Sequence, residues 1–284
     1  MSSENQQSSM QYSKHSNWMD FNGRIAENYH VMPGYPSDAV QSIVARCTYS
    51  LPGLVIDLGC GTGGFTRQLA AEFGRQRKIV GLDPNVDMLK QATRLTTRDL
   101  QISYLQSAAE EMPFDDQSVA VLTAAGAAHR FNSSVFYPEA ARVLVDGGLL
   151  VLLHNRPDAA RSDFMSDYLD IHEHYVPEYR RDWHSTPDGS YGPLPYERDL
   201  SAQSAFEFLS METWAWTERV PEDTVMALAL SSTVIARAAL RVGQDKVLRE
   251  VHDAFVRCAK SDGYVDMPYV TEGLFARRRQ RSSN

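Results

Sequence analysis

An α/β protein built on a predominantly parallel sheet is predicted by three features of this 284-residue chain. Short apolar runs alternate with amphipathic segments from Leu54 to Leu153. The first run enters a glycine-dense turn, Val55-Ile56-Asp57-Leu58-Gly59-Cys60-Gly61-Thr62-Gly63, which opens into Gly64-Phe65-Thr66-Arg67-Gln68-Leu69-Ala70. The run Leu149 to Leu153 is wholly apolar, as suits a strand covered on both faces. Alternation at this short spacing implies parallel strands joined by right-handed crossovers.

Each element follows from local chemistry. Pro33-Gly34-Tyr35-Pro36 signals a turn, and Ser37 or Asp38 can cap a helix to about Cys47 with Ala39, Val40, Ile43 and Val44 on its apolar side. Pro52-Gly53 closes that unit and Leu54 to Leu58 forms the first strand. Phe65 to Phe73 is a helix stopped near Gly74, Lys78 to Leu82 a second strand ending at Asp83, and Val86 to Leu95 the next helix. Ile102 to Leu105 and Val119 to Ala124 are the third and fourth strands, Ser134 to Leu144 is a helix ended by Asp146-Gly147-Gly148, and Leu149 to Leu153 is the fifth strand. From Asp158 to Leu200 the pattern changes to aromatic residues among charges, with a turn at Pro187-Asp188-Gly189, which reads as a helical cap and a loop over the carboxyl edge of the sheet. Phe206 to Thr217 returns to strand, Glu222 to Ser231, Thr233 to Val242 and Lys246 to Ala259 are helices, and Val265 to Phe275 supplies the last strand or strand pair.

Composition narrows the function. Apolar residues make up 43% of the chain, enough for a full core, and only the polar stretch Met1 to Ser9 and the basic end from Arg277 look loose. A net charge of −8 disfavours a broad nucleic-acid surface, which needs a positive field. Three scattered cysteines, Cys47, Cys60 and Cys258, point to a reducing compartment with no disulfide framework or cysteine-rich zinc site. No stretch has the length and apolarity of a membrane span and the N-terminus lacks a signal-peptide pattern, so a cytoplasmic protein is expected.

A glycine-rich turn after a first strand serves any ligand that must approach the backbone closely. A dinucleotide fingerprint is formally available through Gly59, Gly61 and Gly64, so the glycines alone do not decide the ligand. Four ordered stretches add to them: the turn itself; Val80-Gly81-Leu82-Asp83-Pro84-Asn85-Val86-Asp87-Met88-Leu89; Ala109-Glu110-Glu111-Met112-Pro113-Phe114-Asp115-Asp116; and Ala140-Ala141-Arg142-Val143-Leu144-Val145-Asp146-Gly147-Gly148-Leu149-Leu150. With them the chain resembles the class I S-adenosylmethionine-dependent methyltransferases, in particular the small-molecule branch related to ubiquinone/menaquinone-type and trans-aconitate-type enzymes. The resemblance implies a Rossmann-like seven-stranded sheet in the order 3-2-1-4-5-7-6 with a helical cap insertion. It further implies S-adenosylmethionine as cofactor. Asp57 would help fix its amino-acid portion, Gly59, Cys60 and Gly61 would lie under the nucleoside, and Asp83 would accept the ribose hydroxyls. Pro84, Ala109 and Glu110 would border the adenine, and Tyr29 would close over the site. The chain departs from the family pattern at Ala108, where an acid often meets the adenine amine, at Met32, and at Ala128-His129-Arg130-Phe131, where large rings are common.

Methyl transfer from a sulfonium is a direct displacement, so positioning and water exclusion are the main tasks. His129, after the fourth strand, is the expected base, and Glu173 in the cap a second catalytic candidate. Tyr35, Arg130, His154, Arg156, His174, Tyr175, Tyr179 and Trp183 are the expected acceptor-binding residues, with the two arginines suited to an anion and the cap aromatics to a cation. No metal site is expected, because His172 and His174 diverge on a helix; a prenyl diphosphate acceptor would call for Mg²⁺, which the sequence does not demonstrate.

The expected organisation is a flexible N-terminus (1–17), a helical lid (18–47), a cofactor-binding core (48–157), a substrate cap (158–204), the rest of the core (205–279) and a tail (280–284). The expected function is methyl transfer to a small metabolite, anionic or isoprenoid, in secondary metabolism, with no nucleic-acid or membrane partner. Carboxylate O-methylation, RNA or protein methylation and a non-catalytic cofactor-binding regulator are the competing readings. An aromatic N-terminal arm could pack on a second copy to form a homo-oligomer, or cover its own site.

Overall fold

A computed structural model describes residues 23–47 and 51–280; the expectations for 1–22, 48–50 and 281–284 lie outside the described residues. The chain begins with α1 (Arg24–Asn28) and a single 3-10 turn (Tyr29–Val31), then α2 (Ser37–Arg46). β1 (Leu54–Leu58), α3 (Gly64–Phe73), β2 (Ile79–Asp83), α4 (Val86–Leu95), β3 (Ile102–Gln106), β4 (Val119–Ala125), α5 (Ser133–Val143) and β5 (Leu144–Pro157) follow. Next come α6 (Asp163–Tyr175), the two-residue strands β6 (His184–Ser185) and β7 (Tyr191–Gly192), and α7 (Tyr196–Ser201). β8 (Phe206–Pro221), α8 (Glu222–Ser231), α9 (Thr233–Val242), α10 (Gln244–Cys258) and β9 (Tyr264–Arg278) complete it.

One sheet runs β3-β2-β1-β4-β5-β9-β8, and β6 and β7 form a separate ladder. With that ladder set aside, the order is the expected 3-2-1-4-5-7-6. β1 to β5 pair in parallel, while β9 runs antiparallel to both β5 and β8. The parallel strands all deliver their carboxyl ends to one edge, which is where such sheets place ligands.

Period-two alternation builds two cores. Ile56, Leu58, Leu122, Ala124, Leu150 and Leu152 face Phe136, Tyr137 and Ala140 of α5 and Leu200 of α7. Their neighbours Val55, Val121, Leu149, Val151 and Leu153 face Val40 and Ile43 of α2 and Phe65, Leu69 and Phe73 of α3. Asn85 starts α4 by accepting from the Asp87 and Met88 amides at 2.9 and 3.3 Å, satisfying donors that a helix N-terminus leaves open. Asp83, one residue before Pro84, therefore leads directly into a capped helix.

One expectation needs correction and another refinement. The fifth strand runs past Leu153, and His154, Asn155 and Arg156 lie within it, paired with Glu272, Thr271 and Val270 of β9. The apolar run stops where β4 stops, but pairing with β9 continues and permits polar side chains. The second is a refinement of 205–279, expected as the rest of the core with three helices: α8, α9 and α10 leave the sheet between β8 and β9 and pack on α6. Phe164, Tyr168 and Leu169 there meet Val225, Leu228, Ile235, Val251 and Phe255, so the apolar stripes of four helices bury one another. Among the described residues no single helix is long and apolar enough to cross a membrane.

His172 sits inside this helical layer with both ring nitrogens buried and unpartnered, its ring 4.6 Å from that of Tyr168. Burial disfavours the charged ring and pushes its pKa down to about 3. In the unfolded chain a histidine titrates near about 6.5. Between these values the unfolded state takes up a proton that the folded state refuses, so acidification removes stability, at up to about 1.4 kcal/mol per pH unit from this one group. His172→Phe should flatten the fall in stability between about pH 6.5 and 3, read from urea midpoints across that range; an unaltered slope would show that the ring is not held neutral.

Candidate active site

The turn after β1 sets the geometry. Gly59, Gly61 and Gly63 all have positive φ, at 61°, 53° and 75°. At Gly59 the need is also steric, because an added Cβ would lie 2.4 Å from the Ala127 Cβ. The loop after β4 therefore rests directly on the turn. At Gly61 the space above the main chain is bordered by the Tyr29 ring, 3.5 Å from where a Cβ would stand.

Two buried carboxylates brace the turn. Asp57 accepts from Thr66 Oγ1 at 2.7 Å and from Thr123 Oγ1 at 3.1 Å, tying the end of β1 to α3 and β4. Burial still outweighs those bonds and raises its pKa to about 7. Asp83 Oδ2 accepts from the Gly61 amide at 2.9 Å and Oδ1 from the Asn85 amide at 2.8 Å. Burial raises its pKa to about 6, against the pull of those donors and of Arg130. Each oxygen retains a lone pair for a further donor.

Across Ala127 the polar residues gather at the ends of β4 and β5. Tyr35 is fixed by a reciprocal pair, its amide donating to Gln68 Oε1 at 3.2 Å and Gln68 Nε2 donating to its carbonyl at 2.8 Å. Its ring meets Phe65 edge-on, and its hydroxyl lies 3.1 Å from where a Gly126 Cβ would be. His129 and His154 each approach His184 of the β6–β7 hairpin, with ring centroids 5.2 and 5.3 Å apart. His154 Nε2 is 3.5 Å from Glu272 Oε2, and Arg156 Nε donates to Glu272 Oε1 at 3.2 Å. Desolvation, aided by Arg130 and the other two rings, holds His129 well below the usual histidine range. Desolvation likewise pushes His154 down to about 4, with Arg156 adding to it, and His184 down to about 4, with His154 adding to it. All three are neutral at pH 7. Among the described residues no group of three or more His, Cys, Asp or Glu side chains can hold a metal ion.

A family model described as a methyltransferase domain matches residues 55–148, the span from β1 to the start of β5. A candidate methyltransferase of Dictyostelium discoideum is 26% identical over 247 residues, covering 84% of this chain and 86% of that one. A ubiquinone/menaquinone biosynthesis C-methyltransferase of Idiomarina loihiensis is 30% identical over 154 residues, with 51% of this chain and 61% of that one aligned. The chain spans about half the length of an uncharacterized methyltransferase of Mycobacterium bovis, at 33% identity. Among solved structures, a type II methyltransferase from Anaeromyxobacter dehalogenans superposes with a TM-score of 0.63 over 87% of this chain and 97% of its own, at 20% identity. The chain carries a methyltransferase domain over residues 55–148 and has the class I S-adenosylmethionine-dependent methyltransferase fold.

The residues present fit the methyl donor. A main-chain cradle without Cβ atoms admits a nucleoside at close range, and a carboxylate with free lone pairs matches two vicinal hydroxyls. The fold also brings Tyr29, Cys60, Pro84 and Ala109 to this region. Cys60 is buried beside Gly81, Pro84 gives its carbonyl to Gln106 Nε2 at 3.0 Å, and Ala109 is buried after β3. Glu110 is committed to another task, accepting from the Asn132 amide at 2.7 Å and so joining the loop after β3 to the start of α5.

The cap residues are distributed differently from the expectation. Glu173 accepts from the Arg181 amide and Nε, both at 3.1 Å, on the outer face of α6. It falls there because Phe164, Tyr168, His172 and Tyr175 form the buried stripe of that helix. His174 is exposed and lines an open hollow with Asp167, Asp170, Ile171, Glu250 and Arg257. Tyr175 donates to Glu250, Trp183 is exposed, and Tyr179 packs edge-on between His172 and Tyr191. Sequence reasoning missed His184, Tyr196, Thr66, Thr123 and Glu272. Thr66 carried a readable signal, a hydroxyl in the first turn of the helix behind the glycines. His184 carried none, since a lone histidine in a polar loop has no periodic context.

Gly59→Ala should cost about 1–3 kcal/mol, through overlap with Ala127 and a backbone conformation that alanine disfavours. Adding Ala127→Gly should return part of that loss, measured as urea unfolding free energies of the four combinations. Strict additivity would show that the two Cβ positions do not collide.

Proposed function

We propose that this methyltransferase acts on a small metabolite bound between the carboxyl ends of β4 and β5 and the β6–β7 hairpin, next to the glycine turn. The observation that carries the reading is the convergence of His129, His154 and His184 on the far side of Ala127 from the cradle. A macromolecular acceptor needs an open groove, and for RNA a positive one. Here His154 is buried and His129 and His184 are partly buried, and the chain carries a net charge of −8.

In this reading Asp83 accepts the ribose hydroxyls, the main chain of Gly59 to Gly61 lies beneath the nucleoside, and Pro84 and Ala109 border the adenine. Asp57 acts from below, because its oxygens already hold Thr66 and Thr123. Tyr29 closes over Gly61 from the N-terminal segment, which Met32 ties to α8 through Ser231 Oγ at 3.5 Å from its sulfur. Bound S-adenosylmethionine supplies an electrophilic methyl group on a sulfonium. The protein's own part is to hold the acceptor in line, exclude water and, where the acceptor carries a proton, receive it on a neutral imidazole. Arg156 is engaged by Glu272, and Arg130 follows His129 in the same 3-10 turn.

Incubation with methyl-labelled donor and fractionated metabolite extract should put label into a small molecule; label confined to RNA or protein would reject the reading. Asp83→Ala should weaken donor binding about 10–100-fold by calorimetry, the loss of two charge-assisted hydrogen bonds. Unchanged affinity would place the adenosyl group elsewhere.

A further inference from the structure

The place proposed for the acceptor is sealed. His129 Nδ1 and the Tyr196 hydroxyl, which lies beside the His129 main chain, are both shut off from solvent. The rings around them come from three elements: His154 from β5, Tyr196 from α7 and His184 from β6. The His184 ring stands 5.2 Å from that of His129 and 5.3 Å from that of His154. A molecule that reaches these groups has to displace one of the three walls.

Two of the walls are built into the sheet core. β5 pairs with β4 on one side and with β9 on the other. α7 sets Tyr196 and Leu200 into the core with Phe136, Tyr137 and Leu152. The third wall is built differently. β6 and β7 share two residue pairs, His184 with Gly192 and Ser185 with Tyr191, and a hairpin of that size has no stability of its own. Its tip bonds to itself. The Thr186 amide donates to the Ser190 carbonyl at 2.8 Å, the Gly189 amide to the Thr186 carbonyl at 2.9 Å, and the Ser190 amide to Asp188 Oδ1 at 3.0 Å. The tip can therefore move as a unit without breaking these bonds.

The joints lie at its two ends. Before the hairpin, Arg181 is held by Asp170 and Glu173 of α6, and the next residue, Asp182, has a φ of 64°, in the left-handed region that side chains disfavour. After it, Gly192-Pro193-Leu194-Pro195 leads to the buried Tyr196. Successive residues of a strand point to opposite faces, so His184 faces the strand ends while Ser185 and its partner Tyr191 face the helical layer. There the Tyr191 ring meets Tyr179 edge-on, with centroids 5.5 Å apart. Arg237 of α9 grips the hairpin twice: its guanidinium lies 4.9 Å from the centroid of the Tyr191 ring, and its Nη2 donates to the Gly189 carbonyl at 2.9 Å. A charge-assisted bond and a cation–π contact thus hold the outer face, whereas imidazole rings meet on the inner one.

Resting on the small-metabolite reading above, we propose that the segment from Asp182 to Pro195 is a strap that swings away from His129 and His154 to admit the acceptor, and that Arg237 is the positioning residue that latches it shut. Opening turns about Asp182 and Gly192-Pro193, breaks the bond from Arg237 to Gly189 and carries His184 off the other two rings. The glycine turn and Asp83 belong to other elements and keep their places. Acceptor entry and donor binding are then separate events.

The test uses the full-length protein without donor or acceptor, so it is read independently of methyl transfer. Diethyl pyrocarbonate acylates accessible imidazoles, and the labelling rate of each histidine is followed by peptide mass. His172, sealed inside the helical layer, reports wider unfolding, and the exposed His174 gives the rate of an open ring. In the unsubstituted protein His129 and His154 should be labelled about tenfold or more slowly than His174 and about tenfold or more rapidly than His172, as a local opening requires. Arg237→Ala should speed His129 and His154 about tenfold, for the loss of one charge-assisted bond and one cation–π contact, and leave His172 within about twofold. Arg237→Lys, which keeps the charge but not the planar fork, should fall between. With a labelled product identified from metabolite extract, Arg237→Ala should raise the acceptor KM more than it lowers kcat and leave donor affinity unchanged by calorimetry. Equal rates at His129 and His172 in the unsubstituted protein, or a His129 rate untouched by Arg237→Ala, would overturn the strap. A rise at His172 in step with His129 in Arg237→Ala would make Arg237 a core residue and overturn the latch. Failure to label any small molecule would overturn the small-metabolite reading and the strap's purpose with it, while the rates at His129 and His172 would still decide whether the strap opens.

Discussion

The close approach of Gly59 to Ala127 is the contact on which the rest of the site depends. It places the end of β4 on the turn after β1, so the residues after Ala127 cannot drift from the cradle that Asp83 braces. Any side chain at position 59 would wedge the two apart. Because Ala128, His129 and Arg130 follow in a single 3-10 turn, the side proposed for the acceptor is positioned by the same contact that shapes the glycine turn. Asp57 makes that junction rigid from beneath, with a hydroxyl from α3 on one oxygen and one from β4 on the other.

Desolvation governs the electrostatics on both sides, with opposite effects on acids and bases. It raises Asp57 to about 7 and Asp83 to about 6, and lowers His154 and His184 to about 4. The raised carboxyls take up protons in the folded state first, so their contribution to stability is present below the unfolded value of about 4 and is lost as pH rises through about 6 to 7. The lowered histidines act the other way, and theirs is lost as pH falls from about 6.5 towards 4. Hydroxyls bound to the adenosine ribose would donate to Asp83 and favour its carboxylate, shifting that group back towards ionisation. Donor binding and the charge on Asp83 are therefore coupled, which a rigid pre-ionised acid would not show.

The parallel half of the fold was legible because β1, β2 and β4 are buried on both faces and each helix has one apolar face. Val86–Leu95, Glu222–Ser231 and Thr233–Val242 have the bounds expected from the sequence, and in the structure the side chains of Asn85 and Ser232 cap the first and third. The antiparallel half was less so. β5 continues through His154, Asn155 and Arg156 because β9 pairs with it, and a pairing between residues more than a hundred positions apart leaves no local hydrophobic period. The site divided in the same way. Asp57, Gly59, Gly61 and Asp83 announce themselves by position at strand ends, whereas Glu272 and His184 reach the site only through tertiary pairing. Glu173 misled for a related reason: its sequence neighbours are aromatic, but on a helix the next residue points about 100° away, and that angle carries Glu173 to Arg181 on the outside.

The helical layer is built apart from the glycine turn. The matched family span ends at residue 148, before His154, α6, the hairpin and Glu272. Much of what lies beyond it belongs to a separate apolar core, in which α6, α8, α9 and α10 bury one another and meet the sheet through Val220, Val265, Met267 and Tyr269. Changes in that core alter where the hairpin and the ends of β8 and β9 stand without disturbing Gly59 or Asp83. The coupling between the two parts is a polar one: Trp216 Nε1 donates to Thr271 Oγ1, which donates to Asn155 Oδ1, while Asn155 Nδ2 donates to the Gly34 carbonyl. Through that chain of bonds the outermost strand is tied to the loop carrying Tyr35, which gives the antiparallel half a polar link to the segment before α2.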